Sequence, residues 1–208
     1  MTQPKERGGG PAQPYWETHY EQRDVEAMPW FYEALDPDVE RALGELGIGS
    51  GRVLDLGTGP GTQAIALAER GFVVTGSDLS KAAVAKASER AATRGADVRF
   101  VVDDVLDSKL DGPFDVLLDR GCFHVLPAPR RVDYVATLAR LAAPGGWLLL
   151  KTFSVDQPGE TGPFRFAPET IPSLFGSAFE VRSIESSVYH GTVAPNPVAL
   201  FCLLRARR

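Results

Sequence analysis

Beyond residue 52 the chain alternates two apolar rhythms. Short unbroken runs, "VLDL" (53–56), "FVVTGSD" (72–78), "DVRFVVDD" (97–104), "FDVLLD" (114–119) and "WLLLKTF" (147–153), have the length and continuity of strands buried on both faces. Between them lie segments with apolar residues at helical spacing. "TQAIALAERG" carries Ala64, Leu67 and Ala68 on one face, and "SKAAVAKASERAATRG" is capped by Ser80 and closed near Gly95. "RRVDYVATLARLAAPGG" predicts a helix with Val132, Val135, Leu138 and Leu141 inward. Two further strand-like runs, "FEVRSIESSVYHG" and "NPVALFCLLRA", are too close together for a crossover helix, which makes them an antiparallel hairpin. The pattern predicts an α/β fold, a doubly wound seven-stranded sheet that is mostly parallel and ends in a C-terminal antiparallel hairpin.

The first fifty residues follow another plan. "DPDVERALGELG" reads as a short helix with Asp36 as N-cap, Pro37 at its first position, Val39, Leu43 and Leu46 on one face, and Gly47 at its end. Residues 15–32 are dense in Trp and Tyr without any period, which predicts a cover over something. Residues 1–14, with three glycines and three prolines, are too poor in apolar side chains to offset their ordering entropy and are expected to be a disordered tail. A single domain over 15–208, with an aromatic lid at 15–35, is the expected organisation.

Composition narrows the function classes. A formal charge of -5 argues against general affinity for nucleic acid or anionic membrane, and no apolar run approaches a membrane span. Two distant cysteines, Cys122 and Cys202, build no disulfide framework. A cytoplasmic protein acting on a small partner is expected, as a monomer or a homodimer.

The turn "VLDLGTGPGTQ" leaves the first strand and enters a helix, so its backbone N–H groups stand at the carboxyl edge of the sheet, where such folds hold ligands. Its glycines are Gly57, Gly59 and Gly61, with Thr62 where a dinucleotide fingerprint has its last glycine. The second strand ends in Asp78, the third in Asp103 and Asp104, and the fourth in Asp119. A carboxylate at the position of Asp78 accepts ribose hydroxyls. So acidic an edge repels a pyrophosphate and suits a cationic nucleoside.

In these residues the chain resembles class I S-adenosylmethionine-dependent methyltransferases. "VLDLGTGPGTQAIALAERGFVVTGSDLS" is similar to that family's glycine motif and acidic second-strand end, "FDVLLDRGCFHVLP" to its fourth-strand motif, and "LAAPGGWLLLKTF" to its Pro-Gly-Gly turn into strand five. The resemblance extends over residues 52–206 and implies a Rossmann-like sheet, S-adenosyl-L-methionine as cofactor and S-adenosyl-L-homocysteine as product. It implies that Gly57, Thr58, Gly59 and Gly61 lie against the methionine part and that Asp55 reaches its amino group through water. Asp78 then takes the ribose hydroxyls, Asp104 or the competing Asp103 receives the adenine amino group, and Leu79 and Val105 sandwich the ring. "YWETHY" and "MPWFYEALDPDVERAL" resemble the opening of the thiopurine and tellurite-resistance branch. That likeness makes Trp16 and Tyr20 cofactor-side lid residues and turns Trp30 and Phe31 to the acceptor.

Methyl transfer from a sulfonium is an in-line displacement, which needs alignment and exclusion of water more than acid–base machinery. A thiol is already partly ionised at neutral pH, whereas an alcohol needs a base and an amine must be held unprotonated. The sequence offers no obvious base, which favours a small-molecule acceptor with a thiol or other chalcogen nucleophile. "DRGCFHVLP" supplies the acceptor-side candidates: Asp119 and His124 as catalytic groups, His124 as a general base and Asp119 also as a cofactor-binding group, and Arg120, Cys122 and Phe123 as binding groups. The competing reading of His124 and Cys122 is that both are packed residues. Cys122 and His124 with His19 or His190 match no zinc spacing, so no metal is expected. The Gly- and Pro-rich segment 154–176 is the expected substrate loop, with Arg165 and Phe166 facing an anionic or flat acceptor. "DRGC" stands where base amino-methylases carry an Asn- or Asp-Pro-Pro-aromatic motif, so no nucleic-acid substrate is expected. A protein acceptor, a non-catalytic cofactor-binding module and an NAD oxidoreductase are the alternatives.

Overall fold

A computed structural model of the chain describes residues 13–207. The expected tail of residues 1–14 therefore falls mostly outside the described residues, while Gln13 and Pro14 open the first helix. The elements are α1 (Gln13–Gln22), α2 (Pro37–Glu45), β1 (Arg52–Leu56), α3 (Thr62–Ala68), β2 (Val73–Asp78), α4 (Lys81–Arg94), β3 (Val98–Val102), β4 (Phe114–Arg120), α5 (Arg131–Leu141), β5 (Ala142–Ser154), β6 (Arg165–Phe166), α6 (Thr170–Phe175), β7 (Phe179–Val188) and β8 (Val198–Ala206).

Seven strands form one sheet in the order β3-β2-β1-β4-β5-β8-β7, and the two-residue β6 adds to β5. β1 pairs in parallel with β2 and β4, and β8 runs antiparallel to β5 and β7. The doubly wound, mostly parallel sheet with its closing hairpin is the architecture that the apolar rhythm predicts. Order reverses between β1 and β4, and the crevice at the carboxyl ends of these strands is where open α/β sheets bind ligands.

Each face of the sheet is covered by its own core. α2 and α3 bury Val39, Leu43, Ala64 and Leu67 against one face, with Val53, Val116 and Leu149. α5 and α6 bury Tyr134, Leu138, Leu141 and Phe175 against the other, with Leu54, Leu117 and Leu148. Val132 is an exception to the expected face of α5: it is exposed, and Tyr134 takes the inward position. Two residues apart on a helix means nearly opposite sides, so Tyr134 and Val132 cannot both point inward. The helix caps agree with the sequence, since the side chain of Asp36 accepts from Asp38 N–H and that of Ser80 from Ala83 N–H. Such a cap is worth about 1 kcal/mol.

Candidate active site

The loop from β1 to α3 approaches other groups so closely that only glycine fits at Gly57, Gly59 and Gly61, the last against Phe100 and Ala87. A Cβ on Gly59 would stand 2.6 Å from the Tyr20 hydroxyl, and one on Gly57 would stand 2.9 Å from the Cys122 Cβ. Both residues also hold positive φ, the region that side chains avoid. The loop is tied to the end of β2, where Asp78 accepts Gly59 N–H and Ser80 N–H, each at 2.9 Å. Burial raises the Asp78 carboxyl above the ordinary carboxylate range, against the pull of those N–H donors. Asp55 lies deeper and accepts the Thr58 hydroxyl at 2.6 Å. Burial, reinforced by the charges of Asp119 and Asp78, pushes its carboxyl up to about 7 although Thr58 opposes the shift.

Beside this loop lies a cavity of about 430 Å³. Asp78, Leu79, Asp103, Asp104 and Val105 line one part of it, from the ends of β2 and β3. Arg120, Cys122, His124, Phe153 and Tyr189 line another, from the ends of β4, β5 and β7. A smaller space of about 40 Å³ adjoins it at Asp55, Gly57, Thr58, Gly59 and Arg120. α1 and the segment after it form part of the wall through Trp16, Tyr20 and Trp30. These rings make a cluster in which Trp16 meets Trp30 edge to face at 5.7 Å and His19 stacks on Trp30 at 5.4 Å.

Under the wall lies a buried ion cluster that the sequence did not disclose. Lys151 Nζ stands 2.6 and 2.8 Å from the two oxygens of Asp36, and 2.9 Å from Asp38. Arg120 donates from Nε to Asp36 at 2.7 Å, from Nη1 to Trp30 O at 3.1 Å and from Nη2 to His190 O. Asp36 caps α2 as predicted, but it is also the shared counter-ion of two cations.

The chain matches a methyltransferase-domain family over residues 53–146. It is 33% identical over 160 residues to the 2-heptyl-1-hydroxyquinolin-4(1H)-one methyltransferase of Mycobacteroides abscessus, covering 75% of this chain and 70% of that one. The chain belongs to the S-adenosylmethionine-dependent methyltransferases. The thiopurine S-methyltransferase of Legionella pneumophila is 27% identical over 171 residues, 74% of this chain and 77% of that one. Among solved structures, the 1,6-didemethyltoxoflavin-N1-methyltransferase of Burkholderia thailandensis, bound to S-adenosylhomocysteine, superposes with a TM-score of 0.73 at 25% identity and covers 94% of this chain and 87% of that one.

For a methyltransferase the cavity has the right donor set for its cofactor. Gly57 brings backbone to the cavity wall, carboxylates suit hydroxyl and amino groups, and Leu79 and Val105 suit a flat ring. Several expected residues stand elsewhere in this methyltransferase. Asp119 is fully buried, off the cavity wall, and accepts from the N–H groups of Gly121, Cys122 and Phe123 and from the Tyr134 hydroxyl. It anchors the loop after β4 and lines neither the large cavity nor the small space beside it. Burial pushes its carboxyl up to about 6, opposed by those four donors. Phe123 is a core residue stacked among Tyr134, Phe166 and Phe175. Arg165 is buried and donates to Pro158 O and Thr161 O, so it folds its own loop instead of facing an acceptor. Phe31 lies under Arg90 and packs against the cluster of Tyr20, Val25 and Met28, off the cavity wall, and Gly61 packs against Phe100 and Ala87. Phe166 too is core. Gly162 and Pro163, from the expected substrate loop of residues 154–176, line the cavity, while Phe153, Tyr189 and Pro197 of the same wall were not singled out by the sequence. No metal-ligating cluster is found among the described residues, and no helix among them is long and apolar enough to cross a membrane.

Proposed function

We propose that this enzyme methylates a small, flat, largely apolar acceptor whose nucleophile is already ionised near neutral pH, a thiol before other chalcogens. One observation carries the reading: the acceptor part of the cavity has no free base among the described residues. Asp119 is consumed by the loop after β4. Burial and the nearby Arg120 charge lower His124 to about 3, so it neither carries charge at neutral pH nor competes well for a proton. Burial and surrounding carboxylates push the Cys122 thiol up, which argues against a covalent role. Val125, Leu126, Phe153, Pro163 and Pro197 offer apolar area to a flat molecule, and the cavity volume suits a small one. Relatives named for a hydroxyquinolone and a thiopurine support the same class.

S-adenosylmethionine supplies an electrophilic methyl group on a sulfonium. The residues proposed to hold it are Gly57, Thr58 and Gly59 with Asp55 for its methionine part, Asp78 for the ribose, and Asp103 or Asp104 with Leu79 and Val105 for the adenine. Trp16 and Tyr20 act as a lid that keeps water from the reacting atoms, and Trp30, Arg120 and Cys122 border the acceptor. Transfer of labelled methyl from S-adenosylmethionine to a panel of thiols, selenols, phenols, amines and peptides tests the proposal. Labelling of aryl thiols and selenols above the rest is expected. Labelling confined to peptides or amines overturns the acceptor class, while stabilisation by S-adenosylhomocysteine in a thermal shift reports cofactor binding independently.

A further inference from the structure

His124 has two ring nitrogens with unlike surroundings. Nδ1 accepts the N–H of Phe153 at 3.3 Å. The Tyr189 hydroxyl is also 3.3 Å from Nδ1, but it donates its own proton to Lys151 O. A backbone amide hydrogen cannot rotate away, so a proton on Nδ1 would face the Phe153 hydrogen directly. The single proton of the neutral ring therefore belongs on Nε2. Nε2 has no hydrogen-bond partner among the described residues and lies at the wall, where a Cβ on Gly121 would stand 3.1 Å from it.

Charge around the cavity makes such a donor necessary. Its carboxylates, Asp78, Asp103 and Asp104, come from β2 and β3, while Arg120, the one cation among the described lining residues, ends β4 beside the His124 loop. β2 and β4 are separated by β1, which puts these ends two strand spacings apart, roughly 10 Å. Arg120 is already ion-paired with Asp36, and burial with the carboxylates of Asp119, Asp78, Asp104 and Asp55 disfavours a thiolate at neighbouring Cys122, so an anionic acceptor at this end needs a neutral hydrogen-bond donor.

We propose that His124 is a hydrogen-bond donor to the acceptor and not a base, its Nε2–H turned to the anionic sulfur or selenium of a molecule that enters already deprotonated. The proposal rests on the thiol reading above. The acceptor's proton is lost to water before binding. The electron pair on the acceptor forms the new bond to the methyl carbon, and the pair of the broken sulfonium bond stays on the departing thioether sulfur. No proton has to be collected by the protein. A donor at this point holds the thiolate in the cavity and lowers the pH at which it is available.

Two variants separate donor from base. H124Q keeps an N–H donor near the place of Nε2, and H124F removes it. With thiophenol and 4-nitrothiophenol as acceptors, H124F is expected to lose roughly 10-fold to 100-fold in kcat/KM, and H124Q to recover most of that loss. At saturating S-adenosylmethionine, where the titration of Asp55 no longer limits cofactor binding, the acid limb of the pH profile should move with the acidity of the thiol in the wild-type enzyme. With S-adenosylhomocysteine present, thiolate absorbance of bound 4-nitrothiophenol should show its midpoint lowered by about one pH unit in wild type and H124Q, and not in H124F. Unchanged S-adenosylhomocysteine affinity, read by calorimetry, establishes that each variant is folded. Equal losses in the two variants, or an acid limb at one pH for both thiols, overturn the donor role while leaving the thiol reading standing. A wild-type protein that binds S-adenosylhomocysteine but methylates no thiol or selenol overturns that reading and the donor role with it.

Discussion

Asp55 and Asp78 are both carboxylates at strand ends, yet their surroundings differ. Asp78 is braced by two backbone N–H groups, whereas Asp55 has one hydroxyl and two carboxylates nearby. With its value near 7 against an ordinary carboxylate value near 4, Asp55 binds a proton more readily in the folded chain than in the unfolded one. Its share of stability in the ligand-free protein is thus fully present below about pH 4 and lost as pH rises through about 7. Cofactor binding has the opposite sign if Asp55 serves an amino group, because an ammonium favours the carboxylate. The affinity for S-adenosylhomocysteine should fall below about pH 7, by up to roughly tenfold per unit, and D55N should flatten that dependence in calorimetric titrations. The acidic strand ends were legible as residues, because strand boundaries follow from apolar runs. The fate of each was not: Asp119 differs from Asp78 in what folds back onto it, and Tyr134, on the helix after the loop, carries no mark in the sequence that it will donate there.

At the scale of elements, the turn between β7 and β8 is stitched to the segment after α1. Thr192 donates from N to Pro29 O at 3.1 Å and from its hydroxyl to Met28 O at 3.1 Å. A Cβ on Gly191 would lie 2.2 Å from Pro29 O, a backbone atom with little room to yield. G191A should therefore part the two segments, at a cost of about 1–3 kcal/mol in the local structure. Faster hydrogen exchange at residues 28–32, with the exchange of β1 and β4 unchanged, is the expected result. The strand and helix alternation was readable because a sheet covered on both faces demands continuous apolar runs. The cover itself was readable only as aromatic density, since residues 15–32 take their positions from α4 and from the β7–β8 turn and not from any period of their own. α1 is secured to α4 by such distant contacts, Glu17 accepting from Ala82 N–H and Lys86 donating to Arg23 O. β6 was missed because two residues carry no pattern.

Across the whole molecule, the cluster of Asp36, Asp38, Arg120 and Lys151 joins the N-terminal segment, α2, β4 and β5, and through Ser187 it reaches β7. Its members are up to 115 residues apart in sequence, so no local spacing announces it. Removing one cation leaves a buried carboxylate short of its partner. K151M should lower the free energy of unfolding by about 3–5 kcal/mol in urea titrations, since Asp36 is wholly buried. The methyltransferase thus holds its two ligand-facing walls together by charge at a place where sheet pairing alone does not reach them.

The distribution of tryptophan has a practical consequence. Of three in the chain, Trp16 and Trp30 line the cavity, while Trp147 sits at the opposite end of β5 beside Arg205. Two intrinsic fluorophores face whatever fills the cavity and a third stands apart as an internal reference. Occupancy by cofactor or acceptor can be followed by emission alone, in the unlabelled protein.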